Sequence, residues 1–276
     1  MSNTPRYKPL NSSVSTQKGA VLIVVLLFLV LIILVGVIAV KQSTTDLRLA
    51  TSDQINTLLL QSADNANQNI EQGVNGSSDA DVYTDMLSRT GPFGHFILDT
   101  NSAEHEYVFC FRPRGRFFDI NKTTIKTEDG GNILGNDVGY CNPSTPADYV
   151  SDRNASMTQV NVSLTAPSAS NEVFSSYTIG QDSSEISSQA FMFDINSTAI
   201  LPAYSGKTDA AKDCFKKTSR VGTVSNAKDA IGGCMIEEGV PNTVLYEVAN
   251  VENLSLRENC VDFGKGKGIV CKLPTN

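Results

Sequence analysis

The stretch QKGAVLIVVLLFLVLIILVGVIAVKQSTTDLRLATSDQ, residues 17–54, decides how the rest of the chain is read. From Ala20 to Val40 it holds 21 residues without a single charge. At about 1.5 Å per residue, a helix of that length spans roughly 30 Å, the hydrocarbon thickness of a bilayer. A removable secretory signal has a shorter apolar core, about 7–15 residues, followed by a small-residue cleavage site. Here the run is longer, and Val37-Ile38-Ala39 makes a poor site of that kind. Arg6, Lys8 and Lys18 precede the run and Lys41 alone follows it closely, so the basic bias predicts a cytoplasmic N-terminus and export of residues 42–276.

The helical pattern continues past the run. Between Asp46 and Gln72 there is no proline, and Gly73 supplies a stop signal. Ile55, Leu59, Ala63, Ala66 and Ile70 recur at steps of three or four and share one face. The pattern predicts one helix from Ala20 to Gln72, apolar all round in its first half and amphipathic in its second. A lone amphipathic stripe gains little stability in water, so the second half is expected to lie against a sheet.

Of the 276 residues, 18% are charged and 41% hydrophobic, a composition that folds, and the formal charge is −7. Residues 1–45 contain no acid, so the acidic balance belongs to the exported part. That excludes a globally basic protein that coats nucleic acid. An even number of cysteines in an oxidising compartment reads as disulfides. The six, Cys110, Cys141, Cys214, Cys234, Cys260 and Cys271, allow many connectivities, and local pairing (110 with 141, 214 with 234, 260 with 271) is the expectation. A zinc site is the poorer reading, because no Cys-x-x-Cys occurs and the only histidines are His95 and His105.

Beyond Gly73 the texture changes. Residues 79–89 read as a short helix before Gly91-Pro92. Runs rich in Phe, Tyr, Val and Ile then predict strands at 95–98, 106–111, 116–120, 157–164, 173–179 and 189–195. Their links, above all 127–156, are rich in Ser, Asn, Gly and Pro. No βαβ rhythm is present, which favours an antiparallel sheet. In the last quarter, 209–218 and 226–237 read as helices and 243–251 as a strand; four of the cysteines fall there.

The basic leader, the glycine, the all-apolar run and the long helix together resemble a type IV prepilin, with Gln17-Lys18-Gly19 followed by Ala20-Val21-Leu22-Ile23-Val24 carrying the likeness. The combination is similar to the PilX-type minor pilins, with a class III prepilin leader, and somewhat to the K-type pseudopilins of type II secretion. The stretch around DCFKKTSRVG and AIGGCMIEEGVP, within residues 213–241, is also similar to PilX-type proteins of Acinetobacter-like bacteria. The resemblance implies that a membrane prepilin peptidase cuts between Gly19 and Ala20 and methylates the new amine of Ala20. Cleavage would take the formal side-chain charge from −7 to −10. Most pilins carry glutamate as the fifth mature residue; this chain has Val24 there, and Ala20 replaces the family's usual first phenylalanine. A charged amine at the end of an apolar helix costs about 2.5–3.5 kcal/mol in a bilayer unless it is paired. A subunit with Val24 cannot neutralise the amine of a subunit above it, so Val24 is read as the determinant of a place at the tip.

Other candidate sites are weaker. EYVFCFRPRGRFFDINK, residues 106–122, interleaves Arg112, Arg114 and Arg116 with aromatics, a texture that can grip nucleic acid. In an acidic chain it reads better as strands with aromatics inside and arginines outside, broken at Pro113 and Gly115. Direct nucleic-acid binding is therefore not expected. The loop with Glu128, Asp129, Asn132, Asn136 and Asp137 has oxygen ligands but not the EF-hand spacing, and reads as a solvated turn. His105 reads as an exposed strand-edge residue. No nucleophile elbow, P-loop, zincin or dinucleotide fingerprint occurs, and no cofactor or enzymatic activity is expected.

The expected fold is thus α+β and pilin-like: a long N-terminal helix packed on an antiparallel β-sheet, with a C-terminal disulfide-bonded subdomain. The expected segments are a leader (1–19), a transmembrane or filament-core helix (20–40), its amphipathic continuation (41–72), a head sheet (73–205) and the C-terminal subdomain (206–276). The resemblance implies a minor pilin that primes filament assembly at or near the tip, supporting twitching motility, adhesion and DNA uptake. Before assembly it would sit in the bacterial inner membrane, and afterwards at the pilus tip. Implied partners are the prepilin peptidase, the major pilin, other minor pilins, the inner-membrane assembly platform and a PilY-type tip adhesin. A K-type pseudopilin and a single-pass membrane-anchored periplasmic binding protein are the alternatives.

Overall fold

The computed structural model describes residues 18–77, 80–99, 101–165, 189–206, 208–254, 260–264 and 270–271. The strand expected at 173–179 lies outside them. Helix α1 runs from Lys18 to Asn75. It passes through Gly73 and ends at the bend around Gly76 rather than at Gln72. The chain divides into two compact units, residues 1–53 and 54–276. The described part of the first is α1 alone.

The second unit is built on a six-stranded sheet of order β3-β2-β1-β4-β5-β6, every neighbouring pair antiparallel. The strands are β1 (Glu106–Cys110), β2 (Thr123–Lys126), β3 (Asn132–Leu134), β4 (Met157–Leu164), β5 (Gln189–Ile200) and β6 (Asn242–Asn253). Strand β5 pairs with β6 along its whole length, from Gln189 opposite Asn253 to Ile200 opposite Asn242. Short helices α2 (Asp81–Leu87) and α3 (Gly94–Leu98) precede the sheet. Helices α4 (Pro202–Ser205), α5 (Thr208–Phe215) and α6 (Ile231–Glu237) separate β5 from β6, and a ribbon of β7 (Cys260–Val261) and β8 (Val270–Cys271) follows.

Side chains along a strand alternate between faces, and β1 buries both. Tyr107 and Phe109 join Ala66 and Ile70 of α1, Met86 and Leu87 of α2, Val160, Val162, Phe193 and Ile195 in the main core. Val108 and Cys110 join Met157, Ile200, Ala211, Phe215, Ile231 and Met235 in a second core. The stripe read from the sequence faces inward: Leu59, Ala63, Ala66 and Ile70 are buried, and Ile55 packs against the cluster that holds Leu59 and Ala63. Polar groups on the same face meet sheet hydroxyls. Asn67 accepts from Ser197 at 2.5 Å, and the hydroxyls of Ser62 and Thr158 lie 2.8 Å apart.

Two disulfides close local loops. Cys110–Cys141 ties β1 to the segment after β3, and Cys214–Cys234 ties α5 to α6. Cys260 is disulfide-bonded, and its backbone lies opposite Cys271 in the ribbon; the side chain of Cys271 lies outside the described residues.

Several expectations are corrected. Residues 95–98 form helix α3, not a strand. Gly94 packs so tightly on α2 that a Cβ there would stand 2.0 Å from the Leu87 carbonyl oxygen, and this close approach turns the chain. Residues 116–120 are not a strand: Arg116 is drawn to Asp85, Phe118 is buried, and the Asp119 carboxylate caps a turn by accepting from the Asn121 N–H. Residues 226–237 break into a turn at Ala227–Asp229 and helix α6. The link 127–156 contains β3, and the turn that joins β2 to it passes through Gly130 at φ +81°.

Candidate functional site

The first turn of α1 contains Lys18, Gly19 and Ala20. From Val21 onward every turn of the run is exposed on all sides: Val24 is 50% and Leu34 56% exposed. The apolar window of the helix has a mean hydropathy of 3.8, none of it buried. Scattered exposed apolar residues are ordinary; a continuous sleeve of them needs lipid or other apolar helices around it. Past Lys41 the hydroxyls of Thr44, Thr45 and Thr51 donate to carbonyl oxygens three or four residues back. The second unit begins at residue 54, where α1 becomes the sheet-bound helix described above.

The structure brings Arg112, Arg114 and Arg116 together along one groove of about 370 Å³, with Lys122 and Asp119. Each guanidinium already has a carboxylate. Arg112 pairs with Asp148, Arg114 with Asp152, and Arg116 with Asp85, at 2.7, 2.7 and 2.8 Å. Arg112 and Asp148 are both largely buried, and Arg114 also donates to the carbonyl oxygens of Tyr149 and Pro146. The first two pairs hold the segment after β1 against residues 146–152, and the third ties it to α2. Of the oxygen-rich loop, Asp137 pairs with Lys216 at 2.6 Å and Asn132 starts β3. Among the described residues no three His, Cys, Asp or Glu side chains gather as a metal site.

Two buried arrangements escaped the sequence reading. His95 Nε2 and His105 Nδ1 lie 3.0 Å apart, their rings stacked. His105, expected to be exposed, is half-buried by this contact. Burial, and then the charge of His105, push the His95 pKa down to about 4. Glu106, at the start of β1, pairs with Lys126 and accepts from Asn161, Thr218 and Ser219, fastening the segment after α5 to the sheet. The only hint in sequence was a charged residue opening a strand of otherwise apolar residues.

The described residues comprise an α+β unit and an N-terminal helix long and apolar enough to cross a membrane. The family profile described as PilX N-terminal matches residues 18–66, the rod and much of its continuation. Over that stretch the chain is similar to the PilX-type minor pilins of type IV pili. No curated protein and no solved structure matches the chain.

Proposed function

We propose that the chain primes assembly of a type IV pilus and is carried at or next to the pilus tip. The observation that carries this reading is Val24, an exposed aliphatic side chain in the fifth position after Gly19. The prepilin peptidase cuts between Gly19 and Ala20 and methylates the Ala20 amine. A subunit below neutralises that amine with a carboxylate, while Val24 has none to give to a subunit above. An unpaired amine in lipid or in an apolar filament core costs several kcal/mol, so the favoured place is one with nothing stacked on it. Motility, adhesion and DNA uptake follow indirectly from a primed filament, with the major pilin, other minor pilins, the assembly platform and a PilY-type adhesin as partners.

Mass spectrometry of the mature N-terminus, from cells with a competent prepilin peptidase, tests the first step. Methylated Ala20 is expected; an intact leader would end the reading. Gold labelling of sheared pili tests the second. Wild-type chain is expected at one end only, and Val24→Glu along the shaft; a variant still confined to the end would remove Val24 as the cause.

A further inference from the structure

The two ends of the sheet are finished differently. Exposed sheet edges invite pairing with other chains, and proteins blunt them with short strands, proline, lysine or bulges. At one end β3 has three residues, and its register with β2 shifts between Ile125 and Lys126. At the other end β6 has 12 residues, without proline, glycine, lysine or arginine, in unbroken register with β5. Among the described residues no strand pairs with the outer side of β6. Along 242–252, among the described residues, it is a long edge in regular register that carries none of these devices.

Beside this edge runs a groove of about 460 Å³ between the last turns of α1 and β6. Its apolar lining includes Ile70, Phe93, Ile195 and Val251; its charged lining is Glu71, Glu247 and Glu252, with no basic residue. Glu247 is half-buried, and burial first, then the charge of and a hydrogen bond with Glu71, raise its pKa. Among the described residues no cation stands beside these two neighbouring carboxyl groups. On the opposite face of the strand Val244, Tyr246 and Val248 are exposed.

We propose that β6 and its groove receive an extended segment of another protein, added as an outer strand, with a lysine or arginine reaching Glu71 and Glu247 and apolar side chains on alternate positions. Main-chain hydrogen bonds along the edge supply affinity, and the groove supplies selection. Charge argues against a second copy as the occupant: β6 carries Glu247 and Glu252 and no base, so self-pairing sets carboxylates together without a counter-charge. The surface lies within residues 70–263 and does not depend on the tip assignment.

The test uses full-length protein in detergent micelles and synthetic peptides of about 12 residues, alternating valine and threonine, with one central lysine. Binding is followed by calorimetry and by hydrogen exchange along β6. The lysine peptide is expected to bind roughly tenfold more tightly than its glutamate twin and to slow exchange at alternate amides of 243–252. A peptide N-methylated along one edge is expected not to bind. In the Glu71→Gln, Glu247→Gln double variant the lysine preference is expected to vanish while pairing persists. The proposal is overturned if no peptide binds, if the N-methylated peptide binds equally, if charge makes no difference in the wild type, or if the protein alone forms dimers that protect the same amides.

Discussion

Nζ of Lys126 lies 3.3 Å from Oε2 of Glu106, with the two side chains only 5% and 2% exposed. Lys126 also donates to the Lys216 carbonyl oxygen, and the carboxylate takes the backbone N–H of Ser219 at 2.7 Å. The pair joins β1, β2 and the segment after α5 at one point. Removing one partner of a buried pair strands the other, at a cost of about 3 kcal/mol or more. Lys126→Met is therefore expected to lower stability by about that much, measured by urea unfolding followed through the near-ultraviolet circular dichroism of the tyrosines.

The histidine pair predicts a pH dependence. Its folded pKa of about 4 at His95 lies below the ordinary value of 6.5, so the unfolded chain binds the proton more readily. Stability from this group is complete above pH 6.5 and drains away as the pH falls towards 4, by roughly 2–3 kcal/mol in all. Asp99 opposes the shift and Arg89 adds to it, both weakly beside burial and His105. Proton NMR of the chain's two histidines is expected to show one titrating near pH 4. His95→Phe is expected to flatten the stability profile across that window.

Where α1 meets the sheet, close approach depends on small side chains. Ala63 and Ala66 are wholly buried, while Ser62 and Asn67 reach hydroxyls on β4 and β5. Ala66→Leu forces added volume into a filled contact and is expected to cost about 1–3 kcal/mol. Ala66→Ser fits the space and is expected to cost less. Thermal midpoints of the two variants decide this.

Cys214 and Cys234 close a loop with a sequence separation of 20. In the chain-entropy account a loop of that size is worth about 3 kcal/mol. Replacing both cysteines by alanine is expected to lower stability by that order and to speed amide exchange in α5 and α6, leaving the β4–β5 pairing protected. Hydrogen exchange by mass spectrometry reads both effects.

What the sequence disclosed followed from how local the signal is. The long helix was legible because its apolar run and then its face from Ile55 to Ile70 repeat within a few residues. The α+β class followed from β1, β4, β5 and β6, whose β-branched and aromatic runs lie in separate stretches. Residues 95–98 misled because a short apolar run has no period, and the contact that makes it helical is Gly94 against Leu87. Strands β2 and β3 were hidden by their Thr, Lys and Asn content; Thr123, Thr124 and Lys126 are buried only because other segments cover them. The histidine pair, the Glu106 network and the groove beside β6 each join residues distant along the chain, so no window of sequence contains them.

The threonine hydroxyls that fold back onto α1 alter the wetting of the rod. With Thr44, Thr45 and Thr51 donating to their own backbone, their hydroxyls ask less of water. Leu47 and Leu49 stand among them, each 65% exposed. Apolar surface thus continues beyond Val40 among the charges of Lys41, Asp46 and Arg48. The same cylinder therefore offers lipid-like contact well past the last residue of its charge-free stretch, beside side chains that prefer water.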